Sequence, residues 1–257
     1  MKAFVTSLLL VLLTTTSFAQ LKNQPALECK YLFTIQQAFL SQHVKVVAAD
    51  TGLQSRLIDQ YIKRLDPTKM YLLQSDVDEI KKMMGDILAQ VKSRDCSVLD
   101  KVQGILLTRV KERAAFAKKM LGKSYKFDPK VEFIFDPENK KFAVNTQEAD
   151  EFLRKHVHFQ ISNYLASDMK LEESKTNVQK NWDRAIKRVT DLKTDDLLAG
   201  YLDAFARAMD PHSAFMARDN NEDFRISMSL SLKGIGATLS TQDGFTVIEA
   251  IALDGLG

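Results

Sequence analysis

The period of the apolar residues changes once along this chain, at Asp210-Pro211-His212-Ser213. Upstream, apolar residues recur at intervals of three and four, the spacing of helices buried on one face. The last of these runs is Leu197 to Met209. Downstream, Phe224, Ile226, Met228, Leu230 and Leu232 alternate with polar residues, and Phe245 to Ile251 is a β-like run. Such a chain is neither all-β nor helical to its end. Its 257 residues hold only 10 Gly and 5 Pro, which favours long helices over a many-turned fold. The expected class is mainly α, a multi-helix amino-terminal domain followed by a short β-rich segment. A hairpin-like start at the carboxyl end reads as the front part of something longer, or as a natural truncation.

Taken in order, Leu27, Tyr31, Ile35, Ala38 and Phe39 predict a first helix within 26–48. A second carries Leu53, Leu57, Ile58, Tyr61, Ile62 and Leu65, and Asp66-Pro67 stops it, because the residue before proline is pushed out of the α region. Ser75 with Asp78 resembles a capping box and opens one helix that carries Val77, Ile80, Met84, Ile87, Leu88 and Val91. A longer helix covers about 97–121. Val131 to Phe135 and Lys141 to Val144 flank Asp136-Pro137-Glu138-Asn139 and suggest a small β-hairpin. Asn145 with Glu148 starts a helix with Phe152, Leu153, Phe159 and Leu165 inward, and another covers about 172–189 around Trp182. Thr194 is expected to cap the last helix. After it, the alternation from Phe224 to Leu232 by itself predicts a strand, and a strand from Leu232 to Ser240, an Asp243-Gly244 turn and a strand from Phe245 to Ile251 complete the reading.

The amino terminus reads as a secretory signal of residues 1–19. Lys2 supplies the positive region, Phe4 to Leu13 a short apolar core, and Ser17-Phe18-Ala19 a cleavage site before Gln20. The apolar run is too short to span a bilayer comfortably, so stable membrane insertion after cleavage is not expected. Basic and acidic residues number 36 and 33 and are interspersed, giving a net charge of +3 and no nucleic-acid footprint. In an oxidising compartment Cys29 and Cys96 either pair or remain two buried thiols.

No motif for metal or cofactor chemistry stands out. His156-Val157-His158 puts two imidazoles on different sides of a helix, so a surface pair is expected. His212 and Ser213 are adjacent, lack a Gly-x-Ser-x-Gly elbow, and read as part of a helix stop. Gly234-Ile235-Gly236 lacks the third glycine and the helix of a dinucleotide loop. Its glycines either free consecutive N–H groups to point at one anion or form an ordinary strand-start loop.

The ordered set of Asp210-Pro211-His212-Ser213, Leu232-Lys233-Gly234-Ile235-Gly236-Ala237 and Asp243-Gly244-Phe245-Thr246-Val247-Ile248 resembles the carboxy-terminal processing peptidases, in their tail-specific branch. Arg64-Leu65-Asp66-Pro67-Thr68-Lys69-Met70-Tyr71-Leu72 carries the same resemblance. It implies a helical domain over residues 20–222 and the first strands of a PDZ domain over 223–257, with a short helix over Asn221 to Met228 in place of the strand that alternation alone predicts. It implies a periplasmic serine endopeptidase with a Ser-Lys dyad located beyond the PDZ domain, so that no catalytic residue is assigned to this chain. It also implies that Gly234, Ile235, Gly236 and Ala237 hold a peptide's terminal carboxylate while the peptide adds as a strand. Partners would be proteins with unstructured apolar carboxyl termini and, as in some members, an adaptor protein; no cofactor is implied. One departure is Asp254-Gly255-Leu256-Gly257 where the family has Gly-Gly-Pro-Ala. A natural truncation would instead make this a non-catalytic helical binding or adaptor protein.

Overall fold

The computed structural model describes residues 26–46, 48–136, 139–217, 221, 224–225, 227–228, 237–242 and 245–251. Among the described residues the chain is mostly helical and divides into two compact units, Met1–Phe215 and Met216–Gly257. No helix among them is long and apolar enough to cross a membrane.

The first unit holds eight helices among its described residues: α1 Cys29–Gln42, α2 Thr51–Leu65, α3 Gln74–Met83, α4 Ile87–Lys92, α5 Ser97–Met120, α6 Thr146–Leu165, α7 Leu171–Thr190 and α8 Thr194–Met209. The longest, α5, has 24 residues and acts as the spine. Its first half supplies Val98, Leu99, Val102, Leu106 and Val110 to a core shared with α1 to α4 and α8. Its second half supplies Ala114 and Ala117 to a smaller core with Leu153, Val157 and Ile161 of α6 and Val178 and Trp182 of α7. Two cores on one helix follow from apolar residues spread over nearly seven turns. The most buried helix is α8, in which Tyr201, Leu202, Phe205 and Ala206 have no exposed surface. Such all-round burial explains its near-continuous apolar sequence.

The helix ends show local chemistry. Asp50 caps α2 by accepting the Leu53 N–H at 2.7 Å, and Asn145 caps α6 by accepting that of Glu148 at 2.9 Å. The start of α3 differs from the Ser75/Asp78 expectation. The cap lies two residues earlier, at Leu73, and Asp76 accepts the Leu73 N–H at 2.8 Å while Arg109 of α5 holds both its oxygens at 2.8 and 2.9 Å. Thr194 is the first helical residue of α8 and not its cap; Asp196 accepts the Lys193 N–H at 3.0 Å.

Three further expectations are corrected. The single helix expected through Val91 is two, α3 and α4, parted at Met84-Gly85-Asp86. The Gln54 side chain serves the backbone groups this break releases, donating to the Gly85 carbonyl and accepting the Leu88 N–H. The β-hairpin around 131–144 is absent among the described residues. Ala143 bridges in parallel to Leu73 instead, with its carbonyl accepting the Gln74 N–H at 2.8 Å. Phe133 packs its ring against Phe152, His156 and Phe159 of α6, with centroids 5.3–5.5 Å apart, so ring packing takes the place of a ladder. Phe159, expected inward, is exposed; so is Tyr31, one of the residues whose spacing predicts α1, while Leu32, Gln36 and Leu40 form the buried face of that helix.

A disulfide joins Cys29, at the start of α1, to Cys96, just before α5, with Cα atoms 5.9 Å apart. In the second unit, residues 221, 224–225 and 227–228 are helical. β1 Ala237–Gln242 and β2 Phe245–Ile251 pair antiparallel, with an irregularity at Thr238/Leu239 and Gln242 opposite Phe245. The expected Asp243-Gly244 turn lies outside the described residues. Leu239 and Ile248 are exposed.

Candidate functional site

The two upstream motifs build a joint between α2 and α8. Asp66 ends α2 and is fully buried. One of its oxygens accepts the Met70 N–H at 2.9 Å; the other accepts those of Tyr71 and Leu72 at 2.8 and 2.9 Å. The Asp-Pro step thus stops the helix, and the same aspartate folds the next six residues around its carboxylate. Burial pushes its pKa above the usual carboxylate range, against the pull of the three N–H groups. Lys69 sits at φ 52°, in the left-handed region, as the chain turns back. The ammonium groups of Lys69 and Lys140 each donate to the other residue's carbonyl oxygen. Burial brings Lys140 down to about 8, with Asp66 opposing the shift and Lys69 adding to it.

Asp203 organises the other side of the joint. It receives Arg64 of α2 at 2.9 Å, Arg207 of α8 at 3.0 Å and the Phe215 N–H at 3.3 Å. Arg64 crosses α8 at Gly200, where a Cβ would lie 2.9 Å from its Nε, so a larger residue there would make the arginine side chain shift. Arg56 donates to the Ala208 carbonyl at 2.9 Å and so closes the last turn of α8. Sequence reasoning missed both aspartates as organisers. The available signal was an acid inside an apolar run, Leu202-Asp203-Ala204-Phe205, with Arg207 four residues on.

Asp210-Pro211-His212-Ser213 is the stop of α8. The Asp210 carboxylate accepts the His212 N–H and the Ser213 hydroxyl, each at 3.3 Å, and its carbonyl accepts the Ser213 N–H at 3.0 Å. The hydroxyl is turned to Asp210 and not to His212, which suits a turn and not a nucleophile. The surface pair expected at His156 and His158 is corrected. His158 is buried, 2.8 Å from the Tyr125 hydroxyl and 2.7 Å from the Asp128 carbonyl oxygen, and its ring stacks on Phe127 at 4.6 Å. His156 is half-buried, and burial with Lys140 nearby brings it down to about 4. No group of three His, Cys, Asp or Glu among the described residues is placed to hold a metal ion.

Of the four residues expected to receive a peptide carboxylate, Ala237 opens β1 opposite Ile251. Gly234, Ile235 and Gly236 lie outside the described residues.

Residues 35–219 match the model of the tail specific protease N-terminal domain. Over 210 residues the chain is 30% identical to the tail-specific protease of Haemophilus influenzae, an alignment that covers 81% of this chain and 30% of that relative. The chain thus spans about 30% of the length of the curated relative it matches. Both halves of the α2–α8 joint, Arg64 to Leu72 and Gly200 to Ser213, lie inside the matched residues. This chain belongs to the tail-specific protease family and carries that family's amino-terminal domain.

Proposed function

We propose that this chain is the amino-terminal part of a periplasmic serine endopeptidase that takes hold of proteins by their apolar carboxyl termini. The match of residues 35–219 to the family's amino-terminal domain carries this reading. The helical unit supplies a rigid scaffold, and the segment from 223 onward begins a PDZ domain. There Gly234, Ile235, Gly236 and Ala237 are proposed to offer backbone N–H groups to a terminal carboxylate while the peptide adds to the strand edge. The Ser-Lys dyad belongs to a later segment, so the chain's own role is recognition and enclosure. An adaptor protein would dock on the helical unit.

Export is supported by the signal-like residues 1–19 and by the Cys29–Cys96 disulfide, a bond suited to an oxidising compartment. Mass spectrometry of the protein from its native host should give a mature amino terminus at Gln20. Intact Met1 in the mature pool would contradict export. Recognition is tested on the complete gene product with its serine chemistry blocked. A peptide with an apolar end should bind about tenfold more tightly as the free acid than as the carboxamide, because only the acid brings the charge the loop neutralises. Equal affinity would remove the carboxylate loop from the account.

A further inference from the structure

A cleft of about 650 Å³ lies between the carboxyl-terminal half of α5, the stretch that follows it and α6. Its apolar surface comes from Phe116 and Met120 of α5 and from Val131. Four cations share the lining: Lys119 of α5, Lys126, and Arg154 and Lys155 of α6. The two acids there do little to neutralise them. Glu151 stands 4.0 Å from Arg154 and 3.6 Å from Lys155, and the Asp128 carboxylate accepts the Lys130 N–H at 2.9 Å. No carboxylate pairs with Lys119 or Lys126 among the described residues. The stretch is basic as a whole: residues 118–130 hold five lysines and one aspartate, a net of +4 against +3 for the entire chain.

A matching surface starts where the cleft ends. Val131 lines the cleft and leads into Glu132-Phe133-Ile134-Phe135-Asp136, a run with no helix or strand of its own. The rings of Phe133 and Phe135 both meet Phe152 of α6, at 5.3 and 6.4 Å. Ile134 between them is 85% exposed, and Glu132 and Asp136 are exposed on either side of it. The run therefore presents an aliphatic side chain between two carboxylates, with aromatic rings anchoring it on both sides. A singly exposed apolar residue is ordinary. One bracketed by acids, beside a cleft with an apolar lining and the opposite charge, is complementary to that cleft.

We propose that this chain forms a two-fold dimer in which residues 132–136 of each copy seat in the α5–α6 cleft of the other. Ile134 of one copy covers the apolar surface of Phe116, Met120 and Val131, and Glu132 supplies the carboxylate that Lys119 and Lys126 lack. Asp136 already accepts the Asn139 N–H at 3.2 Å and its side-chain amide at 2.8 Å, so it contributes charge and no new bond. Val131 belongs to both surfaces, so donor and receiver adjoin on one molecule. Two copies can then exchange their runs about one axis, and the assembly closes at two instead of growing into a filament. The acids on the run disfavour a bilayer of acidic lipid as the occupant. Tail recognition, assigned to residues 234–237, does not depend on this contact.

Sedimentation equilibrium of the full chain over about 2–200 µM should show monomer and dimer in exchange, with a Kd between about 5 and about 100 µM, as suits a small and partly charged interface. Raising the salt from about 0.05 to about 0.5 M should weaken the dimer at least about threefold. Ile134→Asp, at an exposed position, should weaken it at least about tenfold. Lys119→Glu combined with Lys126→Glu should do the same, and adding Glu132→Lys to that chain should return the Kd to within about threefold of its starting value. Unchanged far-ultraviolet circular dichroism shows that each variant keeps its helices. A chain that stays monomeric up to about 200 µM overturns the proposal. So does a dimer that neither the cleft variant nor the run variant weakens, or a charge-exchanged chain that fails to reassociate. A monomeric chain that instead binds a free Glu-Phe-Ile-Phe-Asp peptide, or vesicles of anionic phospholipid, also overturns it and assigns the cleft to a different partner.

Discussion

Asp66→Ala should destabilise the helical unit by about 4 kcal/mol, read as the loss of unfolding free energy in urea at neutral pH. The carboxylate accepts the N–H groups of Met70, Tyr71 and Leu72 in a fully buried position. Removing it leaves three donors without an acceptor, and each buried unsatisfied group costs about 1–3 kcal/mol. Part of this is offset because the carboxylate's own desolvation disappears with it. Leu72 adds to the effect, since it is a core residue held in place by one of those bonds. Asp66→Asn should do about half the damage. It keeps one oxygen as acceptor but turns an NH2 group toward backbone donors. A loss below about 1 kcal/mol for the alanine variant would show that this connector does not depend on the aspartate.

Reduction of the Cys29–Cys96 bond should cost about 4 kcal/mol by loop-closure entropy, because the two residues are 67 apart in sequence. The bond ties α1 to the start of the α5 spine, while α1 otherwise packs mainly on α4 and α8. Freed of it, α1 should exchange its amide hydrogens ahead of the other helices. Urea unfolding with and without reductant measures the change without substituting any residue. A difference under about 1 kcal/mol would mean that the α1 contacts alone hold the helix, with the unfolded chain gaining little from release.

The helices were legible where one apolar face serves one core. In α2, Leu53, Leu57, Ile58, Tyr61 and Ile62 of the expected apolar face are buried, and Leu65, at the helix end, is partly so. Legibility failed where a side chain from elsewhere decided the backbone. The break between α3 and α4 depends on Gln54, a residue of another helix, so the apolar period runs across it unmarked. The segment 131–136 looks like a strand because aromatic and β-branched residues alternate there, yet its rings find partners on α6. His156 and His158 were read as equals at the surface. Their different fates come from Tyr125, Phe127 and Asp128, residues of a loop whose course no periodicity encodes. The pairing of Cys29 with Cys96 stayed open for a similar reason, since distance in space is not written in spacing. The motif residues of the α2–α8 joint form a visible pattern in the sequence, but their work, folding a connector about one carboxylate and seating an arginine over a glycine, is set by contacts between segments far apart in the chain. The carboxylate loop rests on resemblance alone, because Gly234 to Gly236 lie outside the described residues.

The reading of this chain as the front of a tail-reading endopeptidase is tested most directly by degradation of a matched substrate pair. Two unfolded proteins that differ only in their last three residues, Leu-Ala-Ala in one and Asp-Asp-Asp in the other, are incubated with the complete gene product. The account predicts that the apolar-tailed protein is consumed at least about tenfold faster, since the acidic tail places repelled, desolvated charges where apolar side chains should sit. Equal rates for the two, or the absence of cleavage in either, would contradict it.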